Sequence, residues 1–145
     1  MKGGLEKLQE FAAKTLMCSS DFLCADILAE SSNALRSEGS KACGIKITVG
    51  IPMPLKASKY AAGPAFSKVA LQIVVERDNP NAAHSPSAVY LAERLSRLFH
   101  GKTAPVECGY GKICLADSNP WQALPRPDKN TTAIAVNFLA QSVLG

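Results

Sequence analysis

The sequence predicts an α+β domain in which an antiparallel sheet carries two helices on one face. Two segments of the 145-residue chain have apolar residues at the spacing of an amphipathic helix, and several others show the alternation of a half-buried strand. Loops join the strands, and the helices do not alternate strictly with them, which favours antiparallel pairing. We expect one domain over residues 1–145, with a mostly antiparallel sheet of four or five strands covered by an N-terminal helix and a central helix.

The first helix is predicted to run from about Leu5 to Met17. Its apolar residues recur at helical spacing: Leu5, Leu8, Phe11, Ala12 and Leu16. The stretch from Asp21 to Glu30 leaves two alternatives open. A short strand near Ile27 fits its apolar residues as well as a second helix does, because these residues have no decisive period.

A brief helix and a clear strand are predicted next. Ser31 or Ser32 suits the N-cap of a helix through Arg36, and Gly39 would end it. From Gly44, apolar and polar residues then alternate strictly. The apolar residues of this strand are Ile45, Ile47, Val49 and Ile51.

A long loop is predicted from Pro52 to Pro64. Pro52 and Pro54 have no backbone N–H for a ladder, so they are expected to end the preceding strand. Loops of this length are uncommon inside compact domains and often carry contacts. The loop is therefore a candidate contact surface.

The middle of the chain predicts a strand, a turn and the central helix. The strand covers Val69 to Val75, and the polar elbow Glu76–Asn81 suits a turn. Ser85 is a suitable N-cap and Pro86 a suitable first helical residue. The helix is expected to end at His100-Gly101, where a partly charged imidazole suits the helix dipole.

The last third of the chain predicts two strands and two connections. A flexible turn at Cys108–Gly111 precedes a strand over Lys112–Ala116. The proline-rich stretch Asn119–Pro127 is predicted to be a loop that contains Trp121, and the final strand is expected over Thr131–Leu139.

The composition limits the classes of function. Hydrophobic residues make up 47% and charged residues 19%, as in ordinary globular proteins. No apolar segment approaches the ~20 residues that span a bilayer, and the N-terminus lacks a secretory signal, so we expect an intracellular protein without a membrane partner. The net charge of +4 is spread along the chain, and aromatic residues are few, which argues against nucleic-acid binding.

Cysteine and histidine offer little chemistry in this sequence. The five cysteines are an odd number in a chain without an export signal, so free thiols are expected, and their spacing does not suit a zinc site. His84 and His100 lie beside no nucleophile motif, and the phosphate-loop, dinucleotide and zincin motifs are lacking. We expect no cofactor, no metal and no enzymatic activity. The alternative is a small ligand-binding or enzymatic domain with a pocket near His84 and the Glu76–Asn81 elbow.

Several short sequence motifs suggest a family. They are Ala62-Gly63-Pro64-Ala65-Phe66, Val74-Val75-Glu76, Asn79-Pro80-Asn81 and the helix from Leu91-Ala92-Glu93-Arg94-Leu95 to Leu98-Phe99-His100. In this order, after a strand that proline ends, they resemble the tail-terminator group of tail-completion proteins from long-tailed phages and prophages. The resemblance covers about Leu28 to Phe138. One departure is Arg77-Asp78, which separates the glutamate of the strand from Asn79-Pro80.

The resemblance implies a structural protein that forms a ring at the head-proximal end of the tail tube. Such a ring ends tail growth and joins the head connector. The implied partners are further copies of the chain, with a hexamer as a candidate ring, together with tail-tube and head-connector proteins. The implied locations are the host cytoplasm during assembly and the virion tail.

Ring assembly also requires that one surface of a subunit meets a different surface of the next subunit. The two proline-rich loops and the elbow are the surfaces that the sequence offers for such contacts. The residues expected to contact a neighbouring subunit or a partner are Lys56, Lys59, Tyr60, Asn79, Asn81, Trp121 and Arg126.

Overall fold

A computed structural model describes residues 3–23, 25–30, 34–36, 44–57, 66–78, 86–125 and 131–142. Within these residues the chain forms two helices and nine strands. The helices are α1 (Gly4–Cys18) and α2 (Ala88–Phe99). The strands are β1 (Asp26–Ala29), β2 (Ala34–Arg36), β3 (Ile45–Val49), β4 (Met53–Ala57), β5 (Phe66–Asp78), β6 (Lys102–Thr103), β7 (Tyr110–Leu115), β8 (Trp121–Ala123) and β9 (Thr131–Ser142). Short 3₁₀ turns lie at Ser20–Phe22 and Val106–Cys108.

The centre of the sheet is the antiparallel pair β5 and β9, in register from Lys68 opposite Gln141 to Asp78 opposite Thr131. β3 and β4 follow one another along the outer edge of β5, and β7 and β8 do the same along β9. β1 then pairs parallel with β3, β2 pairs antiparallel with β1, and β6 pairs with β7. The described sheet is therefore mixed.

The α+β class is confirmed, but the prediction of four or five mostly antiparallel strands is wrong. The predicted number of strands is too low for two reasons: the strand beside β5 and the strand beside β9 are each divided in two, and β1, β2 and β6 extend the sheet at its ends. Gly50 still donates its N–H to the Gln72 carbonyl at 2.8 Å, and pairing resumes at Met53 opposite Ala70. The parallel pairing of β1 with β3 was not foreseen, because the sequence left residues 21–30 ambiguous.

One hydrophobic core joins the helices to one face of the sheet. Val49, Ile73 and Val136 lie side by side on neighbouring strands and belong to this core. α1 packs mainly on β1, and α2 packs mainly on β9. The helix residues buried in the core are Leu8, Ala12, Ala13 and Leu16 from α1 and Ala88, Leu91, Ala92, Leu95 and Phe99 from α2. The Phe99 ring lies 5.6 Å from that of Phe138.

The first helix agrees with the prediction, whereas the start of the central helix does not. The N-cap is Ser87, whose Oγ accepts the Tyr90 N–H at 3.1 Å, so Pro86 lies outside the helix and Ser85 is not the cap. The buried Arg77 side chain explains this difference. Its Nε donates to the Pro86 carbonyl at 2.8 Å and holds this residue against the end of β5.

The end of the central helix lies where the sequence predicted it. Gly101 has a φ of 84°, which glycine adopts without strain. His100 ties the helix end to β7, because its Nδ1 accepts the Leu115 N–H at 2.9 Å.

The ambiguous stretch near Ile27 is a strand, β1. The brief helix predicted through Arg36 is wrong, because Ala34–Arg36 forms β2 on the edge of β1. A helix of one or two turns forms few internal hydrogen bonds, and these do not offset the cost of nucleating it. The edge of β1, by contrast, offers backbone hydrogen-bond partners to an extended segment.

Strands replace parts of four predicted connections. Met53–Ala57, placed in a loop, forms β4, and Trp121–Ala123, also placed in a loop, forms β8. In the elbow, Glu76–Asp78 continues β5, while residues 79–81 lie outside the described part. β7 begins at Tyr110, inside the predicted turn. In each case a long central strand offers backbone partners that local propensity does not show.

Gln9 joins α1 to the point where β3 ends. Its buried Nε2 lies 3.1 Å from the carbonyl oxygens of Glu30 and Val49 and 3.3 Å from that of Gly50. Space is short here, since a Cβ on Gly50 would lie 2.9 Å from the Gln72 carbonyl oxygen. The side-chain amide therefore satisfies carbonyls that the divided ladder leaves near the core.

We expect Gln9→Glu to lower the free energy of unfolding by about 2–3 kcal/mol, because a carboxylate cannot donate to these carbonyls and would be buried beside them. Urea unfolding followed by circular dichroism measures the change. Glu6→Gln, on an exposed position of the same helix, is the control and should lower the free energy of unfolding by less than about 1 kcal/mol, since it removes only a first-turn carboxylate. Equal unfolding midpoints for Gln9→Glu and wild type would contradict this role of Gln9.

Candidate functional site

Four strands of the described sheet have a free edge: β2 and β6 at the two ends of the strand order, and β4 and β8 at opposite sides of the central pair. β4 pairs only with the first residues of β5, and β8 pairs only with residues 134–136 of β9. Those β9 residues lie opposite residues 73–75 of β5. The free edges of β4 and β8 are therefore diagonal to each other, on opposite sides of the central pair and toward opposite ends of the sheet. Unpaired edges are common sites of contact with another chain.

The β4 edge carries three exposed apolar side chains, which we call the apolar ridge: Ile51, Met53 and Leu55. Their exposed fractions are 43%, 59% and 57%. Met53 lies opposite Ala70, whose neighbours Val69 and Leu71 are fully buried in the core, so Met53 points to the face away from the helices. A run of large exposed apolar residues on one edge is typical of an interaction surface.

Pro52 and Pro54 alternate with the ridge residues. Neither has a backbone N–H, and proline is accepted in a strand where its nitrogen faces away from the ladder. The register of β4 also shifts between Pro54 and Lys56. Pro54 lies in β4, whereas Pro52 is buried just before it, so Pro54 removes a donor from a strand that carries exposed apolar side chains.

Trp121 is the exposed aromatic residue of β8. It lies opposite Val136, and 37% of it is exposed. Its Nε1 donates to Ser96 Oγ on α2 at 2.8 Å, and that hydroxyl donates to the Ala92 carbonyl at 2.8 Å. Because the indole N–H is already satisfied within the subunit, the exposed part of the ring offers an apolar surface.

Asn137 fixes the connection that places β8. Its Oδ1 accepts from Gln72 Nε2 at 3.0 Å, and its Nδ2 donates to the Asn119 carbonyl at 2.9 Å. Its backbone N–H donates to the Pro120 carbonyl at 2.8 Å. Asn119 has a φ of 51°, a conformation that asparagine tolerates better than most residues. Trp121 therefore follows a connection held by two hydrogen bonds, one from the Asn137 side chain and one from its backbone N–H, while the bond from Gln72 orients the Asn137 amide.

An open cleft lies along α1, away from the free edges of β4 and β8. It consists of two adjoining cavities of about 400 Å³ and 360 Å³ that share Phe11 and Lys14. Its charged lining is mixed: Lys7, Glu10, Lys14, Lys102 and Glu107. Glu10 and Lys14 form an ion pair at 3.0 Å. The mixed charges select no single class of ligand.

The region of the pocket predicted near the elbow and His84 lies largely outside the described residues. Glu76 lies in β5, where its carboxylate is 4.0 Å from the Lys46 ammonium group. His84 and the rest of the elbow lie outside the described part. The cleft along α1 is a different place from the predicted pocket.

Few of the predicted contact residues can be placed. Trp121 is described fully, and the backbone of Lys56 lies in β4. The others lie outside the described residues: Lys59, Tyr60, Asn79, Asn81 and Arg126. The ridge was missed, although its signal is visible in the sequence, since Ile51, Met53 and Leu55 alternate with other residues. The prolines between them suggested a loop.

The described residues contain no group of three or more histidine, cysteine or acidic side chains that suits a metal ion. No helix in this part of the chain is both long and apolar enough to cross a membrane. Cys18, Cys108 and Cys114 are free thiols, whereas Cys24 and Cys43 are not described.

Arg94 and Asp21 connect α2 to the 3₁₀ turn after α1. The Arg94 guanidinium contacts the Asp21 carboxylate at 3.1 Å and 3.2 Å. This hydrogen bond and the charge of Asp21 raise the pKa of Arg94. Because the pair is partly exposed, it contributes little to stability and serves to position the turn.

Cys108 lies in the wall of the cleft, where burial raises the pKa of its thiol and the charge of Glu107 adds to this effect. A raised pKa leaves less thiolate at neutral pH. We expect iodoacetamide to modify Cys108 roughly tenfold more slowly than the exposed Cys18. Peptide mass spectrometry after timed alkylation measures both rates, and the unfolded protein is the control. Equal rates in the native protein would contradict the burial of this thiol.

Comparison with known proteins shows the fold alone. A solved structure whose name states no function is similar to this chain, with a TM-score of 0.57 and 13% sequence identity. The similarity covers 94% of this chain and 91% of that one. No family model and no curated protein matches the sequence. The arrangement of helices and sheet thus recurs in another protein, while the function has to be argued from the surfaces described above.

Proposed function

We propose that this chain is a structural tail protein of a long-tailed phage or prophage that assembles into a ring at the head-proximal end of the tail tube. The ring ends tail growth and joins the head connector. The sequence resemblance suggests this role. The observation that carries it is the pair of different free edges, β4 and β8, on opposite sides of one sheet.

The two edges favour a head-to-tail contact. When β4 of one subunit meets β8 of the next, each subunit still has one free edge of each kind. Contacts of this kind repeat until the rotation between subunits closes a ring. A contact of β4 with itself would instead give a twofold dimer and leave both β8 edges exposed.

We assign contacts with neighbouring subunits, the tail tube or the head connector to Lys56, Lys59, Tyr60, Asn79, Asn81 and Arg126. A hexamer is the candidate ring. Assembly takes place in the host cytoplasm, and the finished ring stays in the virion tail.

Light scattering and negative-stain electron microscopy test this proposal. We expect the purified protein to form closed rings at high concentration and to bind one end of purified tail tubes. Polymerising tube protein should give shorter tubes when the ring protein is added. An unrelated α+β protein of the same size serves as the control for crowding.

A protein that stays monomeric at high concentration and does not bind tail tubes would contradict the proposal. Rings that form but leave tube length unchanged would separate self-assembly from the role in ending tail growth.

A further inference from the structure

We infer that the face of the sheet away from the helices, here called the open face, contacts the backbone phosphates of duplex nucleic acid at one of its ends. The contact is made by a lysine row, which consists of Lys56, Lys68 and Lys112 and includes Gln141 between the last two. The row crosses four adjacent strands, β4, β5, β9 and β7. A nucleic-acid contact of this kind goes beyond the proposed role in the tail and does not require the ring.

The register of the strands brings the lysine row together. Lys56 is opposite Lys68 in the pairing of β4 with β5, and Lys68 is opposite Gln141 in the pairing of β5 with β9. Lys112 precedes the residue opposite Ala140 and therefore lies beside Gln141. Because adjacent strands are about 4.8 Å apart, the row extends about 14 Å across the sheet. The sequence does not indicate the row, since its members are far apart along the chain.

Lys68 and Lys112 project from the open face and are exposed. Each is followed in its strand by a residue that is fully buried in the core, Val69 or Ile113, and successive side chains of a strand point to opposite faces. Gln141 is exposed as well. The row therefore presents ammonium and amide donors to the solvent on one side of the sheet.

No acidic side chain of the described residues balances the row. β4, β7 and β9 contain no aspartate or glutamate, and the acidic residues of β5, Glu76 and Asp78, lie at its opposite end. The separation of Glu76 from Lys68 along β5 corresponds to about 26 Å of strand. Elsewhere in the described part of the chain, four basic side chains have an acidic partner within 4.0 Å, whereas no described residue forms an ion pair with Lys68 or Lys112. The open face thus has a positive end.

The chemistry of the row favours the phosphates of a duplex over other anionic partners. Lysine binds phosphate as a point charge, and it is depleted in protein–protein interfaces. The row contains no aromatic residue on which the bases of a single strand could stack, and no arginine that could read guanine. One strand of a duplex carries a phosphate about every 3.4 Å of the helix axis, so the row is as long as about four phosphates. The contact is therefore independent of sequence.

Fluorescence anisotropy of a short labelled DNA duplex of mixed sequence tests this contact. We expect the wild type to bind at low salt, with an affinity that falls as salt increases, because each phosphate contact releases counterions. Lys68→Gln and Lys112→Gln should each weaken binding about fivefold and reduce the slope of log affinity against log salt by about 1. Circular dichroism verifies that both variants are folded. Slopes equal to that of the wild type would overturn the inference.

Lys46→Gln is the matched control. It makes the same change of charge on the same face, but Lys46 lies at the opposite end of the sheet, 4.0 Å from Glu76. Charges more than about 10 Å apart are largely screened at about 0.1 M salt, so the control should bind as the wild type does. If Lys46→Gln weakened binding as much as Lys68→Gln, net charge alone would explain the affinity, and the lysine row would not be the site.

Competition with polyglutamate separates nucleic acid from an acidic protein as the partner. An unlabelled duplex of unrelated sequence should displace the probe, and polyglutamate at the same concentration of charge should displace it far less. Equal displacement by the two polymers would overturn the assignment to nucleic acid and indicate an acidic protein surface.

Failure of this contact and failure of the proposed function give different results. Rings that form and bind tail tubes but do not bind the duplex would overturn the lysine row as a nucleic-acid site and leave the proposed function in place. A monomer that binds the duplex through Lys68 and Lys112 would do the reverse.

Discussion

The antiparallel pair of β5 and β9 is the element on which the rest of the described fold depends. Its register runs without interruption from Lys68 to Asp78, and β1 and β2 reach this pair through β3, as β6 does through β7. The pair also presents the face on which α2 packs. Because both strands are long and their partners are short, each partner covers only part of the available edge. The exposed surfaces of the subunit follow from this difference in length.

Two kinds of polar contact maintain the interruptions between the short strands. On the β5 side, the Gln9 amide donates hydrogen bonds to three backbone carbonyls near the end of β3. On the β9 side, Asn137 donates hydrogen bonds to the carbonyls of Asn119 and Pro120, in the connection between β7 and β8. Both interruptions are thus hydrogen-bonded structures with defined partners. They fix where β4 and β8 begin, and so they position the two surfaces of the proposed interface.

The helices and the central strands could be predicted from the sequence because each carries its signal locally. The apolar spacing of α1 and the alternation around Ile73 depend on residues that are close in the chain. β2 and β8 carry no such signal, since they are strands only because a neighbouring edge accepts them. The ridge shows the limit most clearly. The apolar residues of the ridge do alternate with other residues, but Pro52 and Pro54 are compatible with a loop and with a sheet edge. Only the pairing with β5 distinguishes the two.

The start of α2 shows a similar limit at a single residue. Ser85-Pro86 and Ser87 both offer a hydroxyl before the helix, and local preference favours the serine that proline follows. Because Arg77 donates a hydrogen bond to the Pro86 carbonyl, Pro86 stays outside the helix and Ser87 is the N-cap. No periodicity in the sequence indicates this contact.

The prolines beside the exposed apolar residues of β4 also bear on aggregation of the chain. A newly made chain exposes an apolar strand, and such strands are templates for irreversible cross-β aggregation when their backbone is free to pair. Pro52 and Pro54 deny that backbone to foreign strands while leaving the side chains exposed. The two prolines therefore act as gatekeepers that protect this exposed apolar strand from pairing into fibres.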